Sequence, residues 1–251
     1  LLGKGDGTFQ AATTLDTESD GFEPLGVAIA DLNGDANPDL VSANSNGNTL
    51  SVLLGNGDGT FQPAASVGTG NGPVSLAVGD VNGDTALDLV FANSLGDTLS
   101  VMLGNGDGTF QPATNFGTGI SPFSVAVADL NGDNNLDLVS ANFDSETLSV
   151  LLGNGNGTFQ PAASFAAGVG PVSVAIADLN RDTRPDLICA NEDAYSLSVL
   201  VGNGDGTFQP AAEFGVGDAP VSVVTGDVNG DANIDIVTAN DDGTLWVLLA
   251  R

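Results

Sequence analysis

The chain has no histidine and only one cysteine, one tryptophan, one tyrosine and one methionine in 251 residues, with 4 lysines and arginines against 32 aspartates and glutamates. Without histidine there is no Ser-His-Asp triad, no Cys-His dyad and no imidazole to hold zinc or haem. A lone cysteine forms no internal disulfide, and Cys189, inside the apolar run Leu187-Ile188-Cys189-Ala190, is expected as a small buried hydrophobe. A formal charge of −28 repels phosphate, so no nucleic acid partner is expected. No apolar run approaches the roughly 18 residues that a spanning helix requires, so no membrane insertion is expected either.

What is present suits a folded chain of many turns. Hydrophobic residues make up 41% of it, the acids fall in short runs between apolar ones, and 35 glycines and 11 prolines punctuate the sequence. The segment Asp31-Leu-Asn-Gly-Asp-Ala-Asn-Pro-Asp39 recurs with substitutions from Asp80, Asp129, Asp178 and Asp227, always 49 residues on. Pro24, Pro73, Pro122, Pro171 and Pro220 keep the same step, as do the Ala-Asn pairs that begin at Ala43, Ala92, Ala141, Ala190 and Ala239. A third element, Gly-Asn-Gly-Asp-Gly-Thr-Phe-Gln from Gly55, returns at Gly104, Gly153 and Gly202, and as Gly3 to Gln10 with Lys4 for Asn.

Each unit holds four short apolar runs, such as Phe123 to Ala128, Leu136 to Ala141, Leu148 to Leu152 and Phe159 to Phe165. Their length, their Val and Leu content and the Gly, Asn, Asp or Pro at their ends read as strands, and no stretch has a helical period. Four strands per unit of this length predict an all-β fold, a β-propeller of five four-stranded blades in a single domain over 1–251. A parallel β-helix is the alternative. Large residues alternate with Ser, Ala or Gly in the first strand of each unit, which lets neighbouring blades pack large against small. Leu1-Leu-Gly-Lys4 and Leu248-Leu-Ala-Arg251 share one phase of the repeat, so residues 1–15 are expected to complete the last blade and close the ring. The competing expectation is an arc of a longer array.

The repeated loop places oxygen donors at its first, third, fifth and ninth positions, with a carbonyl available at the seventh. Hard oxygen donors without nitrogen or sulfur select calcium. Three carboxylates within nine residues repel one another, and a divalent cation removes that conflict. About five calcium ions, one per blade, are therefore expected. The candidate ligands are Asp31, Asn33, Asp35, Asn37 and Asp39; then Asp80, Asn82, Asp84, Ala86 and Asp88; then Asp129, Asn131, Asp133, Asn135 and Asp137. The last two loops supply Asp178, Asn180, Asp182, Arg184 and Asp186, and Asp227, Asn229, Asp231, Asn233 and Asp235. Arg181 and Arg184 bring positive charge into the fourth loop, which should bind most weakly. The Gly-Asn-Gly-Asp-Gly-Thr-Phe-Gln element is expected as a tight turn whose Phe61, Phe110, Phe159 and Phe208 pack between blades. Trp246, in a strand run, is expected in the core. No catalytic residue and no further cofactor is assigned.

These loops, together with Phe116-Gly117 and with Phe214-Gly215 followed by Gly217-Asp-Ala-Pro220, resemble the FG-GAP or VCBS repeat family, calcium-binding propellers similar to the head of integrin α subunits. The resemblance implies calcium between the first two strands of a blade and interaction surfaces on the opposite face. Differences among the units gather on that second face, at 45–48, 94–97, 143–146, 192–195 and 241–243, and in the acidic insertion at 16–23. The expected function is a calcium-stabilised, non-enzymatic binding, adhesion or scaffold module, monomeric, with a protein or glycan ligand in an extracellular or periplasmic setting. The alternatives are a lectin and the propeller domain of a polysaccharide-active enzyme.

Overall fold

The computed structural model describes residues 2–17 and 23–250; Leu1, residues 18–22 of the acidic insertion and Arg251 lie outside them. The first blade consists of β1 (Pro24–Ala30), β2 (Asp39–Asn44), β3 (Thr49–Leu53) and β4 (Ala65–Gly68), and the second of β5 (Pro73–Gly79), β6 (Asp88–Asn93), β7 (Thr98–Met102) and β8 (Thr114–Gly117). The third holds β9 (Pro122–Ala128), β10 (Asp137–Asn142), β11 (Thr147–Leu151) and β12 (Ala163–Ala166). The fourth holds β13 (Pro171–Ala177), β14 (Asp186–Asn191), β15 (Ser196–Leu200) and β16 (Ala212–Gly215), and the fifth β17 (Pro220–Gly226), β18 (Asp235–Asn240) and β19 (Leu245–Leu248). Each sheet is an antiparallel meander in chain order. Every first strand opens on proline, which lacks an amide to donate and is tolerated at a strand's first residue.

The first strands stand side by side, β1 against β5, β5 against β9, β9 against β13 and β13 against β17. The small-residue face of each meets the backbone of the next. A Cβ on Gly26 would lie 3.1 Å from the carbonyl oxygen of Val74, and Ser75 Oγ accepts a hydrogen bond from Val125 N at 3.2 Å. The same bond recurs from Val174 N to Ser124 and from Val223 N to Ser173. Large-against-small packing between blades, expected from the alternation, is what the structure shows.

The hydrophobic core therefore lies between blades. Its four clusters span the four junctions in turn, built for example from Leu50 and Leu89, Val90 and Leu138, Leu148 and Leu187, and Ile188 and Ile236. Burying each such side chain contributes roughly 1.5–3 kcal/mol. Phe159 and Phe208 are buried in two of these junctions and meet Phe116 and Phe165 edge to face at 5.1 and 5.3 Å, and Phe110 packs half-buried against a third, as expected, whereas Phe61 joins none of the four clusters.

Five sheets of four, four, four, four and three strands bear out the expected five-bladed propeller, and only the fifth is a strand short. The fifth sheet has three strands, and residues 2–17 form a hairpin of their own, bridged between Gly3 and Phe9. No packing of β17 on β1 comparable to the other junctions completes the series. As a result Val27 and Ile29 on β1 are 70% and 69% exposed, and Leu245 on β19 is 71% exposed. Trp246 lies on a strand as expected but is 46% exposed, because among the described residues no neighbouring blade covers that edge.

Candidate metal centre

The loop between the first two strands of each blade sits at the same end of the sheet as the hairpin between its third and fourth strands. Within the first loop, Asp31 Oδ1 accepts from Gly34 N at 2.8 Å and Asp35 N at 3.1 Å, and its Oδ2 accepts from Ala36 N at 2.8 Å. Asn33 Oδ1 accepts from Asp35 N at 3.0 Å, and Asp35 Oδ1 from Asn37 N at 2.8 Å. The second, third and fifth loops repeat this web. The loop amides thus hold the oxygens of positions one, three and five in fixed directions.

Two left-handed residues make the turn. The fourth position has φ of 73° at Gly34, 76° at Gly83, 78° at Gly132 and 80° at Gly230, which glycine adopts without strain. In the fourth loop Arg181 takes that conformation at 64°. The sixth position is also left-handed in every loop, at Ala36, Thr85, Asn134, Thr183 and Ala232. No glycine marks it, so sequence reasoning missed it; Asn134 alone carried a signal.

The ninth residue has a different role from the rest. Asp39 Oδ2 accepts from Leu32 N at 2.8 Å and Oδ1 from Gly55 N at 2.7 Å, so a buried carboxylate pins the loop to the hairpin of the same blade. Asp88, Asp137, Asp186 and Asp235 are buried and make the corresponding bonds to their own loops. Burial pushes the Asp88 carboxyl above its ordinary value, the amides of Gly104 and Val81 pull it back, and the charges of Asp84 and Asp80 push it up again. Asp137 and Asp186 are raised by the same causes in the same order. The seventh residue turns its side chain to the hairpin: a Cβ on Gly57 would lie 2.3 Å from Asn37 Oδ1. Its carbonyl is left as the donor it can offer the loop.

Among the described residues no three acidic side chains converge as closely as a metal site requires. The first, third and fifth residues stand together in each loop, while the ninth is engaged by backbone amides. The donor set still fits a hard cation. It is all oxygen, Asp31 Oδ2, Asn33 Oδ1 and Asp35 Oδ1 each accept one hydrogen bond and keep a lone pair, and a buried anion flanked by two like charges is what a divalent ion would neutralise. Asp31, Asn33, Asp35 and the carbonyl of Asn37 are the residues that would hold calcium in the first loop, with Asp39 behind them.

In the fourth loop the two arginines reach toward acids of neighbouring turns. Arg184 lies along Gly204, and Asp205 is held below its ordinary value chiefly by the Thr207 hydroxyl and in smaller part by the Arg184 charge. Asp231 in the fifth loop is lowered first by the amide of Asn233 and last by Arg181. The hairpin aspartates are turn residues: Asp58 Oδ1 accepts from both Thr60 N at 2.9 Å and Thr60 Oγ1 at 2.6 Å.

The pattern of the FG-GAP-like repeat matches four times, at residues 31–91, 80–140, 129–189 and 178–238. The chain belongs to the FG-GAP repeat family. Among solved structures this member resembles BBS1N in complex with ARL6DN, at 17% identity over 93% of this chain and 70% of that one, with a TM-score of 0.61. It also resembles a functionally unknown protein from Desulfotomaculum acetoxidans, at 16% identity over 92% and 70% with a TM-score of 0.59. A protein of unknown function from Bacteroides caccae follows at 14% identity over 88% and 72%, TM-score 0.56. None of the curated proteins matches. At these identities the likeness is one of fold, and an FG-GAP propeller fold supports a non-enzymatic binding or scaffold module.

Proposed function

We propose that the chain is a calcium-stabilised, non-enzymatic binding or adhesion module that works outside the cell or in the periplasm, and that it meets its ligand with the face opposite the loops. The observation that carries this reading is the electrostatics of the ninth position. A buried carboxylate stands beside two like charges at Asp88, Asp137 and Asp186; two backbone amides offset part of the cost, and a cation among the three acids would offset the rest. Rigid staples of this kind suit a compartment where free calcium is high, because mass action then favours the folded form.

The opposite face is made by the turns between second and third strands and by the connections between blades. Leu95, Ile120, Val169 and Tyr195 are exposed there on turns and connections that hydrogen bonds hold in place, and Phe123 is exposed beside them at the start of β9. Ser121 N donates to Asp97 at 2.9 Å, Ile120 N to Ser145 Oγ at 2.9 Å, and Phe123 packs on Phe143 at 5.4 Å. Anchored apolar side chains on a polar rim suit a protein or glycan ligand. The BBS1N neighbour was solved with a protein bound, which agrees with a protein-binding role for a propeller of this type.

A labelled sample of the chain, screened on glycan and protein arrays with calcium and with chelator, tests the reading. Saturable binding that is lost on Tyr195→Ala or Leu95→Asp is expected. Binding that survives both substitutions would move the ligand site elsewhere, and turnover of an acidic polysaccharide would make the chain an enzyme.

A further inference from the structure

The seventh residue of a metal loop covers a glycine in the hairpin of its own blade. In the first and third blades it is asparagine, and a Cβ on Gly57 or Gly155 would lie 2.3 Å from Asn37 Oδ1 or Asn135 Oδ1. In the fourth it is Arg184, whose Cδ, Cγ and Nε would stand 3.0, 3.2 and 3.2 Å from a Cβ on Gly204. The second loop has Ala86 at this position. A Cβ on Gly106 would meet only the Ala86 methyl group, at 3.8 Å.

Where that side chain is missing, a cavity of about 530 Å³ opens between the first and second blades on the loop face, lined among others by Asp31, Leu32, Asp84, Leu87, Asn105 and Gln111. Two repeats on, a cavity of about 240 Å³ is lined by equivalent residues, with Asp129 for Asp31, Leu130 for Leu32, Gly204 for Gly106 and Arg184 for Ala86. Of two equivalent clefts, the chain thus occupies one with a guanidinium side chain of its own and leaves the other open. The Arg184 charge also contributes to holding Asp205 below its ordinary value, whereas no cation acts on Asp107, the counterpart of Asp205 in the second hairpin.

The open cleft is rich in acceptors. Asp31 Oδ2 and both carboxylate oxygens of Asp84 each accept one bond and keep a lone pair. Asn105 donates Nδ2 to Thr109 Oγ1 at 2.9 Å, which leaves its Oδ1 to accept. None of the lining residues is basic, and Leu32 and Leu87 add apolar surface. A guanidinium is the complement of this lining: it has five donors and no acceptor, and its methylene stem packs on apolar groups. We propose that the cleft between the first two blades binds an arginine side chain presented by a partner protein, with Asp31 and Asp84 facing the guanidinium. The site lies on the loop face, away from the binding face proposed above. Each of the two loops carries three carboxylates, so a divalent ion held in each still leaves one negative charge per loop.

Titration of the isotope-labelled full chain with acetyl-arginine amide at low salt, followed by backbone amide chemical shifts, tests the proposal. Run in chelator, it is independent of ion binding. Saturable shifts at Gly104, Asn105 and Gly106 are expected, with acetyl-citrulline amide, the uncharged analogue, binding at least about tenfold more weakly. Ala86→Arg, which copies the fourth loop, and Ala86→Asn, which copies the first and third, should each abolish the shifts while the melting temperature stays near the parent's. Arg184→Ala should add a second set at Gly204. The same titration in calcium should give the same shifts with weaker affinity. No saturable binding would overturn the proposal, as would equal binding of citrulline, shifts that survive both Ala86 substitutions, or complete loss of binding in calcium.

Discussion

The amide of Gly153 donates to Asp137 Oδ1 at 2.7 Å, and a Cβ on Gly153 would lie 2.2 Å from the carbonyl oxygen of Leu136. The loop of the third blade and its hairpin are thus joined by a carboxylate on one side and by bare backbone on the other. Asp137→Ala strands the buried amides of Leu130 and Gly153, at about 1–3 kcal/mol each. Gly153→Ala drives a methyl group into a carbonyl and should cost a similar amount. Urea unfolding in chelator, where no ion contributes, reads both; midpoints equal to the parent's would refute the pinning role.

Arg181→Gly separates strain from charge in the fourth loop. Arg181 holds φ of 64° where the other four loops have glycine, so the substitution should stabilise the chelator-treated protein by about 1 kcal/mol. It also removes a positive charge, so calcium titration calorimetry should show tighter binding of the weakest ion. A gain in neither would leave the arginine without a consequence in this loop.

Cys189 is buried at the third-to-fourth blade junction, and burial raises its thiol far above the ordinary value. Iodoacetamide at neutral pH should leave the native chain unlabelled and modify it fully in urea. Rapid labelling of the native chain would mean that this junction opens.

The hairpin aspartates contribute a pH-dependent increment of stability. Asp107 is lowered from 3.8, first by the Thr109 hydroxyl and then by the Thr109 amide. A depressed carboxylate stabilises the fold above its unfolded value, and that contribution fades as pH falls through the folded value. Asp107→Asn keeps the acceptor, as Asn156 does for Thr158 in the third hairpin. The difference in melting temperature between parent and variant should be present above pH 3.8 and shrink below it. A difference constant with pH would assign it to packing.

Much of this architecture is legible in the sequence because each signal is local and repeated. The 49-residue step, the prolines that open β1, β5, β9, β13 and β17, and the alternation in β5 and β13 all report contacts made within a blade or with its neighbour. What the sequence hid depends on distance or on backbone. Asp39 has the composition of a ligand, and only its bond to Gly55, sixteen residues on, shows that it holds the hairpin. Ala36 and Thr85 adopt left-handed φ without the glycine that would announce it.

Calcium-dependent melting with ion counting is the most direct test of the central claim. The chain, freed of metal and reloaded, should bind about five calcium ions and melt at a markedly higher temperature than in chelator. Equal melting temperatures with and without chelator, and no ion retained, would contradict it.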